Sequence, residues 1–293
     1  MALQLNALDG SFAQALSGIE LWDDIEALAV PLRAAFAQHP VLVFRKQCLS
    51  SDQLMELGRV FGTPMRYIEK SWWSTRPEIS IVSNMRNGKG EPIGGLSSRE
   101  LNWHTDQSYN AVPTTGCYLY AQVVPDTGGE TCWANLYGAY DSLPPELARL
   151  ADRAVGTFSY AARTHAVIPN ANAATVQQSY AQRIRETPDV KHSLVHTNPS
   201  TGRKALYIDP GTLIAIDGMS DTAGADFMQA LFEYTTRPSN IYRHHWQLGD
   251  LVLWDNAATL HQRDPFPDEQ CRLLKRMIIE LPNSRHIVPA LVE

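Results

Sequence analysis

The last quarter of the chain restricts the fold more than any other part. Its apolar segments at 241–246, 251–254 and 273–280 are short and are separated by turns such as the one at 248–250. Short apolar segments bounded by turn residues are typical of β-strands. Such strands need further layers to cover them, so the pattern predicts packed sheets, as in a β-sandwich or a barrel.

Helical patterns interrupt the strands. Residues 24–38 have apolar positions at helical spacing, and Ser50 followed by Gln53 is typical of a capped helix start. Further helical patterns lie at 144–153, 173–186 and 222–234. Because no linker or internal repeat separates these elements, we predict one domain, residues 1–293, that is mainly β with flanking helices.

The composition argues against several classes of partner. The 293 residues carry a formal net charge of -6, which disfavours nucleic acid or an anionic membrane as the main partner. The 4 cysteines lack C-x-x-C spacing, which indicates reduced thiols and not a zinc ribbon. The sequence shows no secretory leader and no apolar run long enough to span a membrane. We therefore expect a cytoplasmic protein that acts on a small molecule, alone or as a homo-oligomer.

His104 and Asp106, two residues apart, form the first candidate site. If this segment is extended, both side chains point to the same face and can bind one divalent metal. His261 is the best candidate for a third ligand, because it follows the apolar strand 251–254 and a turn, which should fix it against the core. Two histidines and one carboxylate leave positions open for other ligands. That arrangement suits non-haem Fe(II) reacting with O2, although zinc can use the same ligands.

Two arginines mark the last predicted strand, one directly before its first apolar residue and one within it. Arg272 and Arg276 are four residues apart, so the two-residue period of a strand puts them on one face. If that face is internal, the two guanidinium groups need anionic partners, and their planar shape suits carboxylates. The alternative is an edge strand on which both arginines are solvated.

A loop precedes the His104 motif. The segment 84–102 is rich in glycine and asparagine, which indicates irregular backbone. Because loops on a rigid scaffold often carry binding residues, one hypothesis is a lid over the site. The alternative is an ordinary surface loop.

An ordered set of motifs runs through most of the chain. It begins with Val41 to Arg45, Phe61-Gly62 and the H-x-D motif at His104. It continues with P-x-x-G-G-x-T at 125–131, Gly202 to Tyr207, Trp254-Asp255-Asn256 and His261, and it ends with the strand that carries Arg272 and Arg276. Together these motifs resemble the TauD/TfdA family of Fe(II)/2-oxoglutarate-dependent dioxygenases. The resemblance implies a double-stranded β-helix (jelly-roll) core and an enzyme that uses O2 and 2-oxoglutarate as co-substrates.

The resemblance also implies roles for individual residues. His104, Asp106 and His261 would bind Fe(II), while Thr131 and Arg272 would hold the distal carboxylate of 2-oxoglutarate. Arg276 matches the position that meets the anionic group of the primary substrate. The expected reaction is hydroxylation of a small carboxylate or sulfonate, with release of succinate and CO2. Alternatives are desaturation or oxidative decarboxylation of a small acid, a non-catalytic acid-binding module, and a zinc hydrolase.

The chain departs from taurine-oxidising members of the family at the substrate positions. Tyr67 stands where they have a substrate-contacting histidine, and Glu100 replaces a substrate-contacting asparagine. Asn102 is the nearest amide that could substitute for it. The segment 67–73 is aromatic and contains Trp73. We therefore expect Tyr67, Trp73 and Asn102 to contact a substrate larger than taurine, such as an aromatic carboxylate. The alternative is that the tryptophan side chains of this segment pack against the core.

Overall fold

In the computed structural model the described part of the chain is mainly β, and helices flank the sheets. The structure describes residues 4–8, 11–17, 21, 25–66, 74–95, 98–165, 182 and 184–292. Within this part no helix is long and apolar enough to cross a membrane.

The helices form where the sequence offers caps and an apolar face. They are α1 (Ile25–Gln38), α2 (Ser51–Phe61), α3 (Leu136–Asp141), α4 (Pro145–Ala151), α5 (Tyr160–His165) and α6 (Asp221–Thr235), with a short 3-10 helix at Pro238–Asn240. Ser50 and Gln53 form the predicted capping box at the start of α2. Gly62 ends that helix, and a Cβ at this position would lie 2.1 Å from the carbonyl oxygen of Glu280. A side chain at position 62 would therefore push the helix end away from the sheet.

The strands are short, as expected from the turn-rich sequence. They are β1 (Gln4–Ala7), β2 (Gln14–Ser17), β3 (Val41–Phe44), β4 (Thr63–Pro64), β5 (Ile79–Ser83), β6 (Leu101–His104), β7 (Gly116–Val123), β8 (Thr131–Asn135), β9 (Val155–Phe158), β10 (Val190–Ser193), β11 (Val195–Thr197), β12 (Lys204–Leu206), β13 (Leu213–Ile216), β14 (Ile241–His244), β15 (Leu251–Asp255), β16 (Thr259–Arg263) and β17 (Leu273–Glu280).

The largest sheet in the described part has the strand order β1-β2-β3-β15-β7-β17-β4, with β5 also paired to β17. Its pairs are antiparallel except β2 with β3. β17 lies inside this sheet, with β7 on one side and β5 and β4 on the other. The alternative of an edge strand carrying solvated arginines is therefore wrong.

A second sheet has the order β14-β8-β16-β6, and smaller sheets join β10-β9-β13 and β11-β12. The first two sheets pack face to face through a shared apolar cluster, in which Trp133 of the second sheet meets Trp254 of the first with ring centroids 5.5 Å apart. Helices α1 and α2 cover the outer face of the largest sheet, while α3, α6 and the small sheets cover the second. Two sheets between helical layers thus enclose the space that holds the candidate site.

Several predicted elements agree with the structure. The last strand has the predicted bounds, 273–280, and the helix predicted at 222–234 is one residue longer at each end. The sequence interpretation missed β9 and β13, and it treated the residues before His261 as a connection where the structure has β16. Most of the helix predicted at 173–186 lies outside the described residues.

Packing beneath α2 gives a test of the fold. Leu54 is 0% exposed, whereas Leu150 on α4 is 52% exposed. We expect Leu54→Ala to lower the free energy of unfolding by about 2–5 kcal/mol, because the cavity left in the core cannot fully collapse. Leu150→Ala is the matched control and should change it by less than about 0.5 kcal/mol. Urea denaturation followed by circular dichroism measures both, and equal values would contradict the assigned core.

Candidate active site

Strand pairing in the second sheet brings two histidines together. His261 on β16 lies directly opposite His104 on β6 in the antiparallel register. Their ring centroids are 4.1 Å apart, and the ring of Trp254 lies 5.2 Å from that of His261. His261 is buried against the core, as predicted from the sequence, but the pairing of β16 with β6 is what brings it to His104, and β16 was not predicted.

The aspartate reaches the same point from a turn. β6 ends at His104, and Gln107 has a φ of 57°, in the left-handed region. Because β6 stops at the histidine, Asp106 does not lie within the strand that the alternation argument assumed, although the two side chains converge as predicted. The turn after β6 instead brings the Asp106 carboxylate back toward the imidazoles.

Three potential ligand atoms converge in a buried position. Nε2 of His104 lies 3.9 Å from Oδ1 of Asp106, and Nε2 of His261 lies 3.8 Å from Oδ2. One ligand atom from each residue lies within 4.8 Å of the other two. Nδ1 of His104 is 2.7 Å from the carbonyl oxygen of Asn102 and donates to it, which leaves the Nε2 lone pair free for a metal. The donor set and its spacing fit a divalent ion with open positions.

The protonation states agree with this interpretation. Burial lowers the pKa of His104 to about 3 and that of His261 to about 4, so both imidazoles are neutral at pH 7. Burial alone would raise the pKa of Asp106, but the Arg276 guanidinium holds it well below its usual range. Two neutral imidazoles and one carboxylate are the charge states in which these groups bind a cation.

Asn256 clamps the turn that carries Asp106, a role that the sequence interpretation missed. Its Nδ2 donates to the carbonyl oxygens of Asp106 (3.1 Å) and Thr114 (2.8 Å), and its Oδ1 accepts from the Asp106 backbone nitrogen (3.1 Å). Thr105 Oγ1 donates to the Asn256 carbonyl oxygen over 2.6 Å. The Trp254-Asp255-Asn256 motif was visible in the sequence, but its contacts with the His104 turn were not.

Arg272 and Thr131 line an inner cavity of about 160 Å³ together with His104, Asp106 and His261. Arg272 is 3% exposed, and its Nε has no hydrogen-bond partner in the described structure. Burial, together with the nearby Arg263 charge, lowers the pKa of Arg272 to about 9. Thr131 Oγ1 accepts from Trp246 Nε1 over 3.0 Å, and the Trp246 ring centroid is 5.8 Å from the Arg272 guanidinium carbon. Arg272 and Thr131, the pair predicted to hold 2-oxoglutarate, thus line the same cavity as the three candidate metal ligands.

Arg276 lines the inner cavity as well, which agrees with the prediction that it shares a face with Arg272. Its guanidinium forms an ion pair with Asp106, and its Nε lies 3.3 Å from Sγ of Cys117. The sequence predicted a substrate anion as its partner and did not predict the contact with the candidate metal ligand.

An outer cavity of about 1310 Å³ adjoins the inner one and shares His104, Asp106, Arg163 and Arg276 with it. The exposed residue Asn102 lines this outer cavity, while Tyr67 and Trp73 lie outside the described residues. Arg163, on α5, was missed because no motif or periodicity marks it. Gly95, in the loop proposed as a lid, lines the inner cavity, so at least one residue of that loop reaches the site. The lid itself stays a prediction.

The geometry of the His104, Asp106 and His261 cluster predicts how the loss of the Asp106 carboxylate affects metal binding. We expect Asp106→Ala to weaken Mn(II) binding at least about 100-fold, because a divalent site loses its only charged ligand among the three. Asp226→Ala, an exposed position on α6, is the control and should bind Mn(II) like the wild type. Titration followed by electron paramagnetic resonance measures both affinities. Unchanged Mn(II) binding by the Asp106 variant would remove this residue from the site.

The hydrogen bonds of Asn256 to the Asp106 turn lead to a separate prediction. Asn256→Leu keeps a similar volume but removes every side-chain hydrogen bond to the Asp106 turn. We expect Mn(II) affinity to fall about 10- to 100-fold, as is typical when residues that orient metal ligands are replaced. The same titration measures it, with far-ultraviolet circular dichroism to verify that the fold is retained. A folded variant with wild-type affinity would show that the turn holds its shape without Asn256.

Comparisons with known proteins agree with the geometry. The sequence model described as "Taurine catabolism dioxygenase TauD, TfdA family" matches residues 4–278. The (S)-phenoxypropionate/alpha-ketoglutarate-dioxygenase of Sphingobium herbicidovorans is 30% identical over 273 residues, which cover 93% of each chain. The alpha-ketoglutarate-dependent sulfate ester dioxygenase of Pseudomonas putida is 27% identical over 282 residues, 95% of this chain and 90% of that one.

A solved structure shares the fold over nearly the full length. The crystal structure of AAD-2 in complex with Mn(II) and N-oxalylglycine superposes with a TM-score of 0.77 at 27% identity, over 96% of this chain and 98% of that one. The predicted cofactors, Fe(II), 2-oxoglutarate and O2, agree with this family and with the cluster of His104, Asp106 and His261. The chain belongs to the TauD/TfdA family and is an Fe(II)- and 2-oxoglutarate-dependent dioxygenase.

Proposed function

We propose that this enzyme hydroxylates a small organic acid, a carboxylate or a sulfonate. One oxygen atom of O2 enters the product and the other enters succinate, which forms from 2-oxoglutarate with release of CO2. The observation that carries the proposal is the combination, in one buried cavity, of the His104, Asp106 and His261 cluster with the buried cation Arg272. Bound Fe(II) supplies the activation of O2, and the protein binds and orients the reactants.

In this proposal, His104, Asp106 and His261 hold the iron, and Arg272 with Thr131 holds the distal carboxylate of 2-oxoglutarate. A buried guanidinium without an anion is costly, and a carboxylate can satisfy it through two parallel hydrogen bonds. The unpaired Nε of Arg272 supports such a partner. Arg263, also buried and lining the inner cavity, adds a second positive charge nearby.

The substrate class rests on the outer cavity and on the relatives. Arg276 lines both cavities and, in the proposal, contacts the substrate close to the iron. The outer cavity is large, and Tyr109, Tyr160 and Val112 contribute apolar surface to it. The relatives are named for a phenoxypropionate and for sulfate esters. These features support an acid with an aryl or alkyl body, with Asn102, Tyr67 and Trp73 as further substrate contacts.

The wider predictions fit the same proposal. The two facing sheets with a shared apolar cluster support a double-stranded β-helix (jelly-roll) core within one domain, residues 1–293. The net charge of -6 supports a small molecule as partner, ahead of nucleic acid or an anionic membrane. A cytoplasmic location and assembly into a homo-oligomer stay predictions.

A screen of carboxylates, sulfonates and sulfate esters tests the proposal, with substrate-dependent succinate release as the readout. Product mass separates the outcomes: gain of one oxygen supports hydroxylation, whereas loss of two hydrogens or of CO2 supports desaturation or oxidative decarboxylation. No succinate with any acid would favour the non-catalytic acid-binding module. Product formation without O2 or 2-oxoglutarate would favour the zinc hydrolase.

The role of Arg272 gives a further prediction. We expect Arg272→Ala to raise the KM for 2-oxoglutarate about 10- to 150-fold, because a charged hydrogen-bonded partner contributes about 1.5–3 kcal/mol. Arg149→Ala, whose side chain is 60% exposed on α4, is the matched control and should leave the KM unchanged. Steady-state succinate production at varied 2-oxoglutarate measures both. A normal KM in the Arg272 variant would place the distal carboxylate elsewhere.

A further inference from the structure

We propose that Arg163 is the residue that selects anionic primary substrates, by binding their carboxylate or sulfonate where the inner and outer cavities join. This inference rests on the proposed function and makes it more specific. It assigns the decisive charge to a short helix that carries none of the family motifs noted in the sequence.

The position of Arg163 is suited to this role. The residue lies in α5 (Tyr160–His165), is half-buried, and lines both cavities. A substrate that extends from the metal cluster into the outer cavity can therefore contact its side chain. The charge also acts on Tyr109: burial raises the pKa of that phenol, and Arg163 opposes the rise.

The carboxylates around Arg163 are already engaged. Asp106 forms an ion pair with Arg276 and takes part in the metal cluster. Asp209, which lines the outer cavity, accepts from Ser108 Oγ (2.7 Å) and from the Gly211 backbone nitrogen (2.9 Å). Among the described residues Arg163 has neither an ion pair nor a side-chain hydrogen bond, so none of their carboxylates holds its guanidinium.

Arg276 is less suited to select charge, although it lies at the same junction. Its positive charge is compensated by Asp106, and breaking that pair would disturb a candidate metal ligand. A substrate anion bound by Arg163 leaves this pair intact. The two arginines therefore have separable roles: Arg276 supports Asp106 and contacts the substrate near the metal, and Arg163 supplies a charge that no described residue holds in an ion pair.

Aromatic side chains beside Arg163 indicate the rest of the ligand. The rings of Tyr109 and Tyr160 pack with centroids 4.7 Å apart, and both residues line the outer cavity. A cation next to aromatic surface suits an acid whose body is an aryl or alkyl group. The preferred ligand is thus an organic acid with an apolar body, and its neutral amide should bind poorly.

Calorimetry on protein loaded with Mn(II) and N-oxalylglycine tests this without turnover. The probes are phenoxyacetate and its neutral amide, together with an alkyl sulfate and taurine. The proteins are the wild type, Arg163→Gln, Arg163→Lys, and Arg149→Gln as an exposed control. We expect Arg163→Gln to weaken binding of the acid at least about tenfold while the amide is unaffected, since a charged hydrogen bond is lost. Arg163→Lys should restore part of the loss, and Mn(II) and N-oxalylglycine affinities should stay at wild-type values.

Two results would overturn the inference alone: acid binding by Arg163→Gln within about twofold of the wild type, or an equal loss for acid and amide. The first would show that the charge is not used, and the second that the arginine only maintains the shape of the cavity. If none of the acids binds to the wild type, the proposed substrate class fails, and the role of Arg163 fails with it. Binding of an acid by the wild type thus distinguishes failure of the Arg163 role from failure of the proposed substrate class.

Discussion

The pairing of β6 with β16 is the constraint on which the site depends. This pairing sets His104 opposite His261. The polar turn after β6 then places the Asp106 carboxylate beside the two imidazoles. Backbone hydrogen bonds between strands fix the distance between the two imidazoles more rigidly than a loop could. Asn256 ties the turn to the strand end that follows Trp254, so segments about 150 residues apart in sequence behave as one unit.

Three arginines surround this unit, and they differ in whether a carboxylate of the chain balances their charge. Asp106 is balanced by Arg276, whereas Arg272 lies in the interior with no anion of the described chain beside its Nε. A buried cation of this kind is destabilising until an anion satisfies it, so in our proposal the inner cavity favours an acidic ligand. Arg163 extends the positive potential to the outer cavity, where the primary substrate enters in our proposal. In our proposal the reactants and the iron are thus held by separate groups of residues.

Much of this arrangement could be predicted from the sequence, for reasons that are local. The short apolar segment at 273–280 predicted the bounds of β17, and the two-residue period of a strand placed Arg272 and Arg276 on one face. The capping box at Ser50 is likewise a short-range signal. The H-x-D motif and the distal histidine identified the three residues that the structure brings together.

Other features could not be predicted because they arise from tertiary contacts. β6 and β16 are short and interrupted by polar residues, so their strand character comes from pairing and not from their composition. The ion pair of Arg276 with Asp106 joins residues 170 positions apart, and no periodic pattern in the sequence predicts it. Arg163 lies on a short helix, and only the shape of the cavities shows that it faces the site.

The central claim is that one buried cavity holds Fe(II) on His104, Asp106 and His261 and also binds 2-oxoglutarate through Arg272. The most direct test is the visible absorption spectrum of the wild-type protein with Fe(II) and 2-oxoglutarate in the absence of O2. Chelation of the iron by the keto acid should give a metal-to-ligand charge-transfer band that is missing when either component is omitted. A protein that binds Fe(II) but shows no such band at saturating 2-oxoglutarate would contradict the account.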